Sequence, residues 1–354
     1  MDGDGGETVE PRGRGTTGTE FDLPSVLAQL DDTESKTQRT AVRRIRAAID
    51  DRGTPAAAVP TVPKLRALLE QPSIDFRDEV AACLADLAAE APADVAPSVD
   101  TIVIVAVEFT DGSDESSESD GAADVTRALL RCLAAVAADR PDVVADHTAS
   151  IAVVLARGDG YDRRGLRALA RVSRSHPTAV EPAASVLADA LAADPDANGR
   201  LTLRALGRLA GSDATVPAFD FVEQAAALVE HDDAALRYDA LGCLGDVARS
   251  EPTALEPVCA ELEAALSSSD PDTRAIAAVT VTRLAAQCRR AIDPVRDRLV
   301  ALLEDNQAHV RANACVALGQ GRVDAAAPRL ETLARVDPAP NVRDRAAWAT
   351  EQLS

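Results

Sequence analysis

Asn306–Gly321 reads N-Q-A-H-V-R-A-N-A-C-V-A-L-G-Q-G. His309, Asn313 and Cys315 fall within seven residues of a chain that has only four His. The stretch is either a reactive constellation or one copy of a recurring unit, and the rest of the chain decides between them. Arg77–Ala88 (R-D-E-V-A-A-C-L-A-D-L-A), Arg237–Ala248 (R-Y-D-A-L-G-C-L-G-D-V-A) and Arg274–Ala285 (R-A-I-A-A-V-T-V-T-R-L-A) align with Arg311–Gly321. Each has an Arg and, seven positions later, an aliphatic residue inside a helical apolar pattern. Extending that anchor along the chain gives Leu84, Leu133, Leu169, Leu206, Leu244, Val281 and Leu318, with a degenerate copy at Thr350. The successive spacings are 49, 36, 37, 38, 37, 37 and 32, the fixed period of a repeat array.

A second series precedes the anchors. Pro60, Pro97, Pro182, Pro217, Pro257, Pro294 and Pro328, with Asp146 in one slot, are followed by small or aliphatic residues five positions on, and mostly nine positions on. Those offsets share one helical face, and Pro fits the first turn of a helix. Each unit therefore reads as a Pro-started helix, a turn and a second helix. A weaker unit at 21–49 brings the number to about nine. The expected fold class is all-α, an α-solenoid spanning 21–354. The long spacing between Leu84 and Leu133 is explained by Thr110–Gly121 (T-D-G-S-D-E-S-S-E-S-D-G), which has no apolar periodicity and reads as a disordered acidic loop. Residues 1–20 read as a disordered acidic, Gly-rich tail.

The unit P-x4-L-x3-L…D-x-x-V-R-x-x-A-x-x-A-L-G resembles the HEAT repeat in its short, phycobilisome-lyase-type form. Asn306–Gly321 carries the closest match, in H-V-R-A-N-A-C-V-A-L-G. The resemblance covers about 21–354 and implies a right-handed superhelix with first helices outside and second helices lining the concave face. It also implies an interaction scaffold, in which each repeat buries its apolar stripe only against its neighbours.

Composition narrows the function classes. The net charge of −21 comes from 38 Asp and 20 Glu against 35 Arg and 2 Lys. Such self-repulsion is screened at molar salt, where the Debye length is about 3 Å. An Asp excess with Arg in place of Lys resembles halophile proteomes, so a salt-adapted cytoplasm is expected. The first ten residues, M-D-G-D-G-G-E-T-V-E, lack the basic and apolar regions of a signal peptide. The apolar run Thr101–Val107 is too short to span a bilayer. The expectation is a soluble, monomeric, cytoplasmic protein.

No catalytic constellation stands out. The six Cys have no CxxC pair or zinc spacing, and Cys83, Cys132, Cys243 and Cys315 fall in small apolar slots beside the anchors. The iron-dependent hydroxylases built on HEAT repeats use His-Glu dipeptides as ligands. Here His147, His176, His231 and His309 precede Thr, Pro, Asp and Val, so that metal site is absent and no cofactor is expected. His309 shares a slot with Asp75, Asp272 and Asn341, which predicts a helix N-cap. Gly207, Gly245 and Gly319 follow their anchors and predict close helix approach.

Arginines are the exception. In the three central copies Arg stands six before the anchor (Arg127, Arg163, Arg200) and two before it (Arg131, Arg167, Arg204). Two copies add Arg two after it (Arg171, Arg208). These offsets lie opposite the anchors, on the exposed face. The eight side chains read as either Arg–Asp ladders between repeats or a stripe that docks an acidic protein or peptide, with the 110–121 loop as an internal mask. Guanidinium forks suit carboxylates and phosphates. A nucleic-acid-binding protein is the alternative, disfavoured by the scarcity of Lys and aromatics. A chromophore-lyase relative is the third reading, with only Trp348, Tyr161 and Tyr238 to stack a tetrapyrrole.

Overall fold

The computed structural model describes residues 21–50, 55–111, 119–158, 160–214 and 219–354. Among these residues the chain forms nine helical hairpins and no strand. The first and second helices are Leu23–Leu30 with Ser35–Asp50, Val62–Leu69 with Arg77–Glu90, and Val99–Asp111 with Ser119–Asp139. Repeats 4 to 6 are Thr148–Arg157 with Arg163–Val172, Ala184–Ala193 with Pro195–Ala210, and Phe221–Ala227 with Ala234–Ser250. Repeats 7 to 9 are Cys259–Leu266 with Pro271–Gln287, Arg296–Ala301 with Ala308–Gln320, and Ala327–Val336 with Pro340–Leu353. The expected tail at 1–20 lies outside the described residues, as does the centre of the expected 110–121 loop at 112–118. The helices of repeat 3 reach Asp111 and restart at Ser119.

The hairpins stack in two layers, an α-solenoid. Adjacent second helices pack along most of their length, whereas adjacent first helices touch sparsely. The anchors form the seam. Leu84, Leu133, Leu169, Leu206, Leu244, Val281 and Leu318 are all buried, and Thr350 in the last copy is half-buried. Cys83, Cys132, Cys243 and Cys315 are buried beside them. Burial pushes the Cys132 and Cys315 thiols up to about 12, so these groups pack as small hydrophobes instead of reacting.

Prolines set the helix boundaries, one element earlier than the sequence pattern suggests. Pro60, Pro97, Pro182, Pro257 and Pro294 lie in 3-10 turns that feed the first helices. A separate set ends the second helices. Ala91, Arg140, His176 and Glu251 each precede a Pro and turn out of the helical region, with ψ of 65°, 64°, 64° and 75°. The ring of the following Pro disfavours the α conformation there. Each of these residues still donates its N–H to the carbonyl four residues back, at 2.7–2.9 Å.

The Arg that opens most second helices ties the hairpin together. Arg77, Arg237, Arg274, Arg311 and Arg343 each donate to the carbonyl six residues earlier, on Gln71, His231, Ser268, Asp305 and Asp337. Three of them also reach the next repeat, where Arg237, Arg274 and Arg311 pair with Asp270, Asp305 and Asp337 at 3.1, 2.8 and 2.8 Å. Those carboxylates accept backbone N–H groups at the start of their own second helices. The hydrogen bonds and guanidinium groups hold Asp270 and Asp337 below the usual carboxylate range; Asp305 is also lowered, although burial opposes the shift.

His309 is not the cap that its slot suggests. Gln307 occupies the N-cap position of that helix, and the helix starts at Ala308. The Asp305 carboxylate accepts the Gln307 N–H at 2.9 Å and so serves the turn two residues before the cap. His309 Nε2 instead faces Asp272 of repeat 7 at 3.3 Å.

Two predictions follow from packing. A Cβ on Gly319 would lie 2.9 Å from the Ala349 Cα, which is backbone that cannot swing aside. Gly319→Ala should therefore lower the thermal midpoint, at about 1–3 kcal/mol for overpacking. A Cβ on Gly242 meets nothing within 4 Å. Gly242→Ala should raise stability by about 1 kcal/mol through helix propensity alone, as read by denaturant unfolding. The Arg–Asp ladder predicts a pH dependence. Asp337 is held charged, so its stabilisation is present above the unfolded carboxylate pKa and is lost as pH falls through the lower folded value. Asp337→Asn should cost about 3 kcal/mol at neutral pH, because Arg311 is left paired to nothing charged. It should also shrink the acid-side loss of stability in a pH series of urea melts.

Candidate functional site

The predicted arginines occupy one face of the second helices of repeats 3 to 5, and the structure divides them into two groups. In the outer repeats all but Arg208 are neutralised. Arg127 pairs with Asp124 on its own helix. Arg131 reaches back to Asp86 of repeat 2 at 2.7 Å, and Arg46 of repeat 1 shares that carboxylate at 3.2 Å. Arg200 and Arg204 both grip Asp239 of repeat 6, at 3.2 and 2.8 Å. Arg131, Arg200 and Arg204 thus pair between repeats, and Arg127 within its own helix.

The middle repeat is different. Among the described residues, Arg163 and Arg167 form no hydrogen bond or ion pair, and both are exposed. Arg171 donates only to the Ala134 carbonyl of repeat 3. Arg208 donates to the Ala170 carbonyl and the Ser173 hydroxyl of repeat 4, both at 3.1 Å. No carboxylate closes on any of the four. Partial burial lowers the Arg171 pKa, and the charges of Arg167 and Arg174 lower it further. Burial, Arg174 and Arg204 do the same to Arg208, against the opposing pull of Asp239 and Asp246. Arg174, which is outside the register of the sequence pattern, therefore belongs to the cluster. It lies in the turn after Val172, where this second helix stops at ten residues.

The cause lies in the order of charges along the array. The face carries Asp78, Glu79 and Asp86 in repeat 2, then three successive Arg rows, then Asp239 and Asp246 in repeat 6. Rows 3 and 5 each have an acidic neighbour, while row 4 has Arg on both sides. Elsewhere acids are shared between repeats. Glu79 holds Arg39 and Arg43, and Asp246 holds Arg249 and Arg283, both at 2.9 Å. Burial raises the Asp246 pKa in spite of those cations. A surface cavity of about 300 Å³ opens among Arg46, Asp78, Glu79, Asp124, Arg127, Arg131 and Arg164, four cations against three anions.

One helical position separates the two uses of Arg. In repeats 2 and 6 to 8 the Arg stands seven before the anchor and clamps its hairpin. In repeats 3 to 5 that slot holds Thr126, Asp162 and Gly199, and Arg moves to the next position, 100° round the helix, onto the open face. Other groups then hold the turns. Asp162 accepts the Arg164 N–H at 2.7 Å, and Asn198 donates to the Ala190 carbonyl at 3.0 Å.

Among the described residues no group of three His, Cys, Asp or Glu side chains could hold a metal ion, and no helix is long and apolar enough to cross a membrane.

The fold and face define a helical-repeat solenoid with a charged inter-repeat surface, and comparison with known proteins agrees on the repeat type. A family model described as HEAT repeats matches residues 259–351, which are hairpins 7 to 9. No curated protein matches the chain significantly by sequence. Among solved structures, the chain is similar to an engineered protein at TM-score 0.58 and 19% identity, covering 94% of this chain and 98% of that one. It is similar to a structure of the interaction between cadherin and beta-catenin at TM-score 0.64 and 13% identity, covering 93% and 68%. Kap121p bound to Pho4p gives TM-score 0.50 and 13% identity, covering 94% and 38%. At these identities the likeness is one of fold.

The unpaired row has a stability consequence. Arg167 is exposed, holds no partner among the described residues and repels Arg171. Arg167→Gln should therefore raise the thermal midpoint in dilute buffer, and molar salt should erase the gain. Arg204→Gln, which breaks the Asp239 pair, should not raise it.

Proposed function

We propose that the protein is a non-enzymatic scaffold, a cytoplasmic monomer whose second-helix face is concave and docks an acidic protein segment on the row Arg163, Arg167, Arg171 and Arg208. The carrying observation is that these four guanidinium groups have no carboxylate partner among the described residues, in a chain of net charge −21. Like charges left adjacent raise the energy of the free protein, and an anionic ligand lowers it. The closer packing of second helices supports their forming the inner layer, because the layer with the smaller radius brings its helices together. The similar solenoids are described with protein partners, Pho4p on Kap121p and cadherin with beta-catenin. The salt-adapted composition fits a site built from Arg, whose bidentate contacts depend on geometry as well as on screened charge. A nucleic acid is the weaker reading. Acidic rows in repeats 2 and 6 border the site, and no aromatic side chain interleaves the row.

Binding of a fluorescein-labelled peptide of eight Asp and Glu residues, followed by anisotropy at dilute and molar salt, tests this. Arg163→Glu/Arg167→Glu/Arg171→Glu should weaken binding at least tenfold, and Arg127→Glu should change it less. Equal affinity for wild type and the triple variant overturns the docking reading. Tighter binding of a single-stranded oligonucleotide of equal charge would put nucleic acid in its place.

A further inference from the structure

The slots that carry Arg in the middle of the array carry apolar side chains further along. The positions six and two before the anchor are Arg163 and Arg167 in repeat 4, and Arg200 and Arg204 in repeat 5. In repeat 7 they are Ala275 and Val279, and in repeat 8 Ala312 and Val316. Ala275 and Ala312 are buried, so on the open face the guanidinium groups give way to Val279 and Val316 without a change of register. Repeat 9 continues the inner slot with Trp348.

Two hydrogen bonds fix the lateral alignment of the apolar part. Thr280 donates to the Leu241 carbonyl at 2.9 Å, tying the helix of Val279 to that of Gly242. Asn313 donates to the Ala275 carbonyl at 3.0 Å, tying the helix of Val316 to that of Val279. Trp348 then abuts Gly319, whose added Cβ would meet its ring at 2.9 Å. Gly242 has open space above it, since its own Cβ would meet nothing within 4 Å. Val279 is 38% exposed, one of four large hydrophobic side chains left outside the core among the described residues. Val316 and Trp348 are half-buried. At the start of the apolar part, repeat 6 also presents Asp239 and Asp246, and both are occupied by arginines of neighbouring repeats. A chain crossing repeat 6 therefore meets two acids that are already paired.

We propose that the Arg row is one half of a two-part site whose other half is the apolar row Gly242, Val279, Val316 and Trp348, and that the occupant is a partner segment carrying an acidic block and a separate apolar block. This rests on the docking reading above and adds the second half and its spacing. From repeat 4 to repeat 7 are three helix-to-helix steps of about 8–10 Å, roughly 24–30 Å in all. An extended chain covers that in about eight residues. The acidic block supplies charge complementarity, and the apolar block fixes where along the array the segment sits. In molar salt the apolar half keeps its strength while the charged half weakens.

The test uses the full chain and two labelled 20-residue peptides. Both carry six Asp or Glu residues and an eight-residue Gly-Ser spacer. One ends in Val and Leu residues, the other in Ser and Thr. The acidic-apolar peptide should bind wild type at least tenfold more tightly than the acidic-polar one, and shortening its spacer by five residues should remove the difference. Val279→Ser/Val316→Ser should bring the acidic-apolar peptide down to the affinity of the other while leaving the acidic-polar peptide unchanged, which also shows that the variant is folded. Equal affinities for wild type overturn the two-part site and leave the Arg row standing. Binding of both peptides that survives Arg163→Glu/Arg167→Glu/Arg171→Glu overturns the docking reading itself.

Discussion

The C-terminal half of the array hangs on a three-way tie, Arg to its own hairpin turn and to the Asp of the next repeat. Arg311 shows it fully. Its guanidinium donates to the Asp305 carbonyl behind it and grips both oxygens of Asp337 ahead, at 2.8 and 2.9 Å. The Asp337 side chain is only 2% exposed. A buried carboxylate is costly unless it is paired and hydrogen-bonded, and here both conditions are met. The tie sets the spacing between repeats as well as the closure of each. Every repeat buries its stripe only on its neighbours, so that spacing decides whether the anchors meet. The tie is complete in repeats 6 to 8, and in repeats 4 and 5 capping by Asp162 and Asp194 and the side chain of Asn198 hold the turn in its place.

That substitution frees Arg for a different use. A guanidinium seven before the anchor points back at its own turn, while one a single residue later stands on the open face. Three consecutive repeats made that move. Arg131 of repeat 3 and Arg200 and Arg204 of repeat 5 reach carboxylates in repeats 2 and 6, whereas Arg163, Arg167 and Arg171 of repeat 4 and Arg208 of repeat 5 reach none among the described residues. The uncompensated charge is thus a consequence of row order and not of any one side chain. A structural ladder alternates sign, and three like rows in succession break the alternation. Sites that bind tend to be places where local consistency is given up.

The repeat architecture was readable from one sequence because its signal is periodic. Seven anchors at steps near 37 residues and a Pro ahead of most first helices fix the hairpin count, and all seven are buried. Boundaries were less readable. Pro60 and Pro182 mark 3-10 turns ahead of the first helices, because a period locates the unit but not where 3-10 gives way to α. The slot of His309 was misread for a related reason, since its sister residues are good caps by type while Gln307 holds the cap position and Asp305 serves the turn. The site was half legible. Helical geometry put the eight arginines on one face, but sequence alone could not say which of them would find a carboxylate thirty to fifty residues away. Arg131 reaches Asp86 across 45 residues, whereas Arg167, four residues past Arg163 on the neighbouring repeat, reaches none. Arg174 carries no periodic signal because it lies outside the helix.

The exchange of Arg for Val along a single slot also bears on specificity. A purely basic surface in salt attracts any anion weakly, and a purely apolar surface attracts any hydrophobe. Neither discriminates well alone. Placing both on one rigid face ties the two preferences to a distance, and a partner must satisfy the distance as well as each chemistry. The rigidity comes from the same inter-repeat bonds that build the fold, Thr280 to Leu241 and Asn313 to Ala275. Fixing the two halves in advance lets a segment that matches both bind with the second contact at high effective concentration. The array thereby turns a structural period into a ruler, with one helix-to-helix step as its unit.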